Sequence, residues 1–211
     1  MSENNSDVSP RPNNLIYHPG RVAAWLNNKP LYPIEVVLMA DGKTWLDIRI
    51  VKQTLTYLAG KGLKSVTVHA IQNEEFLSDN KNATEIKNVA QELNLAFRVI
   101  IATKETEKVV AGTEKTSKPY DKCYALPFKT YITTTGDVYP CAAFIGNQEF
   151  CYGNLYEKSF ADIWNGQERE KVTAKITGEF LSNNCSAVCD GDEMNKYLHE
   201  LKHPGAHANF I

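Results

Sequence analysis

The chain has 211 residues, 43% of them apolar and 23% charged, the balance of a soluble globular protein long enough for one large domain or two small ones. Its 23 Lys and Arg nearly cancel its 25 Asp and Glu, which excludes the basic footprint that wraps nucleic acid or anionic lipid. No apolar run reaches the roughly eighteen residues of a membrane span. Residues 1–14, rich in Ser, Asn and Pro, lack the apolar segment of a secretory signal, so a disordered tail and a cytoplasmic protein are expected.

After the tail, His18-Pro19-Gly20-Arg21 leads into Val22, Ala23, Trp25 and Leu26, a short amphipathic helix that Pro30 and Pro33 end. Residues 34–39 form an aliphatic strand, and Asp41-Gly42 marks a turn. Over residues 47–59, Ile48, Val51, Leu55 and Leu58 recur at three- and four-residue steps, one face of a helix that Gly60 and Gly62 stop. A second buried strand over 66–70, a helix marked by Ile86, Val89, Ala90 and Leu93, and a strand over 97–102 complete the order β-α-β-α-β.

Strands alternating with single helices favour a parallel sheet with right-handed crossovers. At roughly thirty residues per unit only about three strands fit, so residues 15–117 read as a truncated α/β unit rather than a complete barrel. Residues 103–118 are polar and charged, a connector. Beyond it, residues 129–135, the turn Gly136-Asp137, and Val138-Tyr139 form a β-hairpin with Cys141 at its far end. Ser159 with Asp162 three residues on resembles a capping box for a helix whose apolar face is Phe160, Ile163 and Trp164, and a last helix spans 192–201.

The five cysteines all follow residue 122. Four of them, Cys123, Cys141, Cys185 and Cys189, make two separated groups that a fold can close around one metal centre, and an odd count in a reducing compartment points to metal binding rather than disulfides. Thiolates select zinc or iron–sulfur clusters, and the residue types alone leave that choice nearly even. Cys151, flanked by Phe150 and Tyr152, reads as a small buried hydrophobe rather than a fifth ligand. His199, His203 and His207 recur every fourth residue, but Pro204 breaks the helix between the last two, so they read as a helix C-terminus and its tail. No pair of carboxylates, serine elbow or phosphate-cradling glycine loop marks a catalytic residue.

The segments Cys123-Tyr124-Ala125-Leu126-Pro127-Phe128, Gly136-Asp137-Val138-Tyr139-Pro140-Cys141, Gly153-Asn154-Leu155 and Ser159-Phe160-Ala161-Asp162-Ile163-Trp164 resemble, in order and spacing, the SPASM/twitch auxiliary-cluster domain of radical S-adenosylmethionine enzymes. Twelve residues separate Cys123 from Gly136 and four separate Gly136 from Cys141, as that family's opening pattern requires. The chain end, Cys185 and Cys189 with Asp192, Asn195, Tyr197 and Leu198, is similar to the close of one branch, and Tyr17-His18-Pro19, Arg21-Val22 and residues 32–36 resemble the start of its barrel.

The resemblance implies a truncated partial (β/α) barrel over 15–117, a SPASM/twitch-like domain over 118–211, and one 4Fe-4S cluster on Cys123, Cys141, Cys185 and Cys189. It also implies what is missing. Radical enzymes of the family carry a cysteine triplet after the first strand, where this chain has Met39-Ala40-Asp41-Gly42-Lys43, and a glycine-rich turn after the second, where it has His69-Ala70-Ile71-Gln72. S-adenosylmethionine binding and stand-alone catalysis are therefore not expected. The expected role is accessory or electron-transfer, the alternatives being a structural zinc interaction module or a subunit that completes a radical enzyme in a heteromer. The expected partners are a complete radical enzyme or a substrate peptide, with no nucleic acid and no membrane.

Overall fold

A computed structural model describes residues 14–40, 44–71, 81–102, 118–178, 180–181, 185, 189 and 191–205. Residues 1–13 of the expected tail over 1–14, the Asp41-Gly42 turn, most of the 103–118 connector and His207 lie outside the described residues, while Asn14 opens a 3-10 turn to Tyr17.

β1 (Glu35–Ala40), β2 (Ser65–Ile71) and β3 (Ala96–Ala102) run parallel with β1 against β2 and β2 against β3. The crossovers carry α2 (Ile48–Gly60) and α3 (Lys81–Glu92), behind α1 (Pro19–Leu26) at the start of the chain. Val36, Val37, Leu38 and Ala40 are all buried, the nearly continuous apolar pattern of a parallel strand covered on both faces. Asp47 caps α2 by accepting from the Arg49 N–H at 2.8 Å, and Val51, Thr54, Leu55 and Leu58 point inward from it.

The second region continues the same sheet. β4 (Lys129–Ile132) lies parallel to β1, β5 (Asp137–Tyr139) folds back antiparallel on β4, and β6 (Gly153–Asn154) closes the order β3-β2-β1-β4-β5-β6. The hairpin turn places Gly136 at φ 84°, where a Cβ would come within 2.7 Å of the Tyr156 ring, so both backbone and space demand glycine. A slanted polar row crosses four strands: Glu35 accepts from Thr67 at 2.8 Å and Arg98 at 3.0 Å, with the Lys129 ammonium 3.5 Å away.

The helices of the second region are α4 (Phe160–Trp164), α5 (Gln167–Lys175) and α6 (Asp192–Lys202). Ser159 caps α4 as expected, accepting from the Asp162 N–H at 3.2 Å. Trp164 is fully buried, donates from Nε1 to the Leu31 carbonyl at 2.6 Å and lies 3.8 Å under the Arg169 guanidinium. Trp25 of α1 meets Tyr124 edge to face at 5.4 Å. One apolar core therefore runs from Leu15 to Leu198 through both regions. The mixed α/β architecture with a parallel three-strand unit and a hairpin matches the expected fold class; α5, β6 and two short 3-10 turns at Ala142–Phe144 and Gln148–Phe150 are additions to it. Among the described residues no helix is long and apolar enough to cross a membrane.

Candidate metal centre

Local hydrogen bonding carries each of the four cysteines inward. Cys123 follows the bridge between Lys122 and Thr177 and donates its own N–H to the Ile176 carbonyl at 3.5 Å. Cys141 ends the hairpin, extended at φ −158°, and its carbonyl accepts the Phe144 N–H that closes the first 3-10 turn. Cys185 donates its N–H to Leu181 at 2.9 Å, and the Cys189 carbonyl accepts the Asp192 N–H at 3.1 Å at the start of α6. Stacked Phe144, Phe150 and Phe180, with centroids 4.4 to 5.7 Å apart, join the Cys141 turns to the strand of chain before Cys185.

None of the five cysteines is in a disulfide, and all are partly buried. Burial pushes the Cys123 thiol up to about 11, reinforced by Cys185 and opposed by hydrogen bonds from the Asn195 side chain and the Ala125 and Leu126 N–H groups. The Cys141 thiol is raised by burial and then by Cys123, Cys189 and Cys185, against a hydrogen bond from the Ala143 N–H. Cys185 rises to about 11 through burial and Cys189, against the nearby Lys118 charge. The four sulfurs thus lie within electrostatic reach of one another. Among the described residues no three His, Cys, Asp or Glu donors are already drawn together as a single-ion site.

The donor chemistry fits a soft metal centre. The N–H groups aimed at Cys123 and Cys141 favour the charged thiolate over the thiol. Binding of such a centre must displace the thiol protons that burial retains.

Polar side chains lie around these sulfurs, Asn195 and Asp192 from the chain-end resemblance and Lys118, Tyr120 and Lys196 with no signal in the sequence. Asn195 is buried, accepts the Ala125 N–H at 2.9 Å and donates from Nδ2 to Cys123 Sγ at 3.4 Å. Asp192 accepts from Tyr120 at 2.5 Å, Lys118 at 2.9 Å and Lys196 at 2.9 Å. Burial opposes ionisation of Asp192, but these three donors outweigh it and its carboxyl lies below the usual range. The Lys118 side chain is only 4% exposed and paired with Asp192, and its charge reaches Cys185.

Cys151 sits apart from this arrangement, its thiol donating to the Gly153 carbonyl at 3.4 Å beside Asp137 and Tyr139. His199 and His203 face each other with centroids 4.6 Å apart at the end of α6, and His199 stacks on Tyr124. The chain-end resemblance is the sequence signal that includes Asn195 and Asp192.

Residues 123–191, bounded by the first cysteine and the helix start after the last, match the family described as the SPASM iron–sulfur cluster-binding domain. The cysteine-bearing region is SPASM-like. The match carries the iron–sulfur cluster-binding description to that region alone, and residues 1–122 and 192–211 lie outside it. No curated protein matches the sequence. Among solved structures the chain is similar to BtrN in an open conformation, at 12% identity and a TM-score of 0.42 over 75% of this chain and 91% of that one. BtrN in complex with AdoMet and 2-DOIA matches at 10% identity and a TM-score of 0.41, covering 76% and 92%. SuiB of Streptococcus suis bound to S-adenosylmethionine matches at 14% identity and a TM-score of 0.24 over 80% of this chain and 41% of that one. At TM-scores this low the likenesses bear on neither activity nor substrate.

Proposed function

We propose that Cys123, Cys141, Cys185 and Cys189 hold one 4Fe-4S cluster, and that the chain serves radical S-adenosylmethionine chemistry as an accessory or electron-transfer protein rather than as its catalyst. What supports this reading is that all four cysteines fall within the SPASM match and that Cys123, Cys185 and Cys189 lie within electrostatic reach of Cys141. Four protein thiolates leave no iron open to a substrate, which confines the centre to supporting the fold and passing electrons. Potential is then set by hydrogen bonds to sulfur and by burial, and this chain supplies both. A reducing cytoplasm suits five cysteines outside disulfides, and a complete radical enzyme or its substrate peptide is the partner proposed.

Within the chain, the residues act by orientation. Ala125, Leu126 and Asn195 donate toward Cys123, Ala143 donates toward Cys141, and the core around Phe144, Phe150 and Phe180 limits water. A bound cluster would supply one-electron chemistry. The test is anaerobic reconstitution followed by iron, sulfide and zinc analysis. About four irons and as many sulfides per chain are expected. One zinc without sulfide would favour the structural zinc module instead, and no bound metal would end both readings.

A further inference from the structure

Asn195 occupies an unusual position. It stands in the first turn of α6, on the stripe it shares with buried Leu198, where an apolar residue would ordinarily pack. Its amide is fixed by its neighbours. The Ala125 N–H can only donate, so the atom 2.9 Å from it is the amide oxygen, and the NH2 group must face Cys123 Sγ at 3.4 Å. Gly191 completes the arrangement: a Cβ there would lie 3.3 Å from Ala125 Cβ, 3.7 Å from Cys189 Sγ and 3.8 Å from Asn195 Nδ2. A Cβ at Gly191 would press on the Ala125 methyl group, while Cys189 and Asn195 would meet it at ordinary contact distance.

The same turn is fastened from the other side. Asp192 accepts from Tyr120 and Lys118, three and five residues before Cys123, so the segment that delivers Cys123 and the helix that follows Cys189 are tied together directly. Asn195 adds a second tie, through Ala125, just after Cys123. The two ties bracket the Cys123 sulfur and leave its Asn195 donor little freedom to turn away.

We propose that Asn195 is a positioning residue that holds the Cys123 sulfur through an N–H···S hydrogen bond and raises the reduction potential of the centre it serves. This rests on the cluster-binding reading above. An N–H donor to sulfur withdraws electron density and so favours the reduced state, which carries one more negative charge. The buried Lys118 ammonium beside Cys185 acts in the same direction.

The variants are Asn195→Asp, which keeps an oxygen acceptor for the Ala125 N–H but replaces the donor to sulfur, and Asn195→Ala, which removes both groups without adding charge. Wild-type and variant proteins are reconstituted, their iron is counted, and their potentials are measured by spectroscopic redox titration. Both variants should bind wild-type iron and titrate at lower potential, with Asn195→Asp shifted further. The shift expected is about tenfold in the one-electron equilibrium, which corresponds to about 59 mV. Wild-type potentials in both variants would overturn the role of Asn195. Should the variants fail to hold iron, metal-free melting decides: an unchanged melting temperature supports action through the sulfur, and a collapsed one makes Asn195 a structural residue only. Failure of the wild-type chain to bind iron would instead end the cluster reading, and it is detected before any variant is compared.

Discussion

The two halves of the sheet are held together by different means. In β1, β2 and β3 with α2 and α3, long backbone ladders and a stripe of buried aliphatic residues define the structure, and polar side chains contribute mainly the row from Lys129 through Glu35 and Thr67 to Arg98. Around the cysteines the strands are two to four residues long, and the path of the chain is fixed by individual side chains: Trp164 to Leu31, Asn154 to Thr135 and Asp137, Asn195 to Ala125, Tyr120 to Asp192. A region assembled from separate polar ties depends on whatever closes its centre. Binding energy at a thiolate site is, to that extent, folding energy.

Cys141→Ser tests this contrast most severely. Loss of one of four proposed ligands should abolish iron loading, and hydrogen exchange should show lost protection around residues 120–126, the turns after Cys141 and α6. β1, β2 and β3 should keep theirs. Equal loss of protection in both halves would mean that the regions are not distinct in what stabilises them.

Leu55→Ala attacks the other half. Leu55 is fully buried in α2, and truncation of such a residue costs about 2–5 kcal/mol through lost burial and the cavity left behind. Chemical denaturation should report that loss while the folded fraction still binds iron at the wild-type ratio. A drop in iron per folded chain would show that the parallel unit shapes the centre, which the contrast denies.

What the sequence made legible follows the same division. Apolar periodicity exposed α2, α3 and the three parallel strands because each buries one continuous face, and Gly136-Asp137 between β-branched runs exposed the hairpin. The parallel pairing of β4 with β1 was not legible, since Glu35 and Lys129 are joined across the fold and nothing local specifies the match. α5 was missed because Val172 is its one buried residue among those described and it therefore has little amphipathic signature. The cysteines were readable as a set from their chemistry. Asn195 and Asp192 were visible only through the chain-end resemblance, and Lys118 and Tyr120 not at all, because a polar residue reveals its role only through the partner that it meets.

Trp164→Phe asks how tightly the two regions are coupled. Phenylalanine keeps most of the packing against Phe160 but loses the Nε1–H, leaving the buried Leu31 carbonyl without that donor. An unsatisfied buried acceptor costs about 1–3 kcal/mol. If Trp164 joins the regions, denaturation followed by near-ultraviolet dichroism and by exchange at β1 should shift together; separate transitions would indicate that the regions unfold independently.

The smallest effect is expected at Ser159. Its hydroxyl oxygen accepts the Asp162 N–H at 3.2 Å and its O–H reaches the Asp162 carboxylate at 2.6 Å, both at the exposed start of α4. Ser159→Ala removes this cap without touching the core, and N-cap losses are worth about 1 kcal/mol. For a chain of this size that is a fall of about 2–4 °C in Tm. The helix it starts ends on Trp164, so the cap acts on the one side chain that reaches back to Leu31. A fall in Tm that disappears in the Trp164→Phe background would place the effect of the cap in the inter-region contact, and an additive fall would confine it to α4 itself.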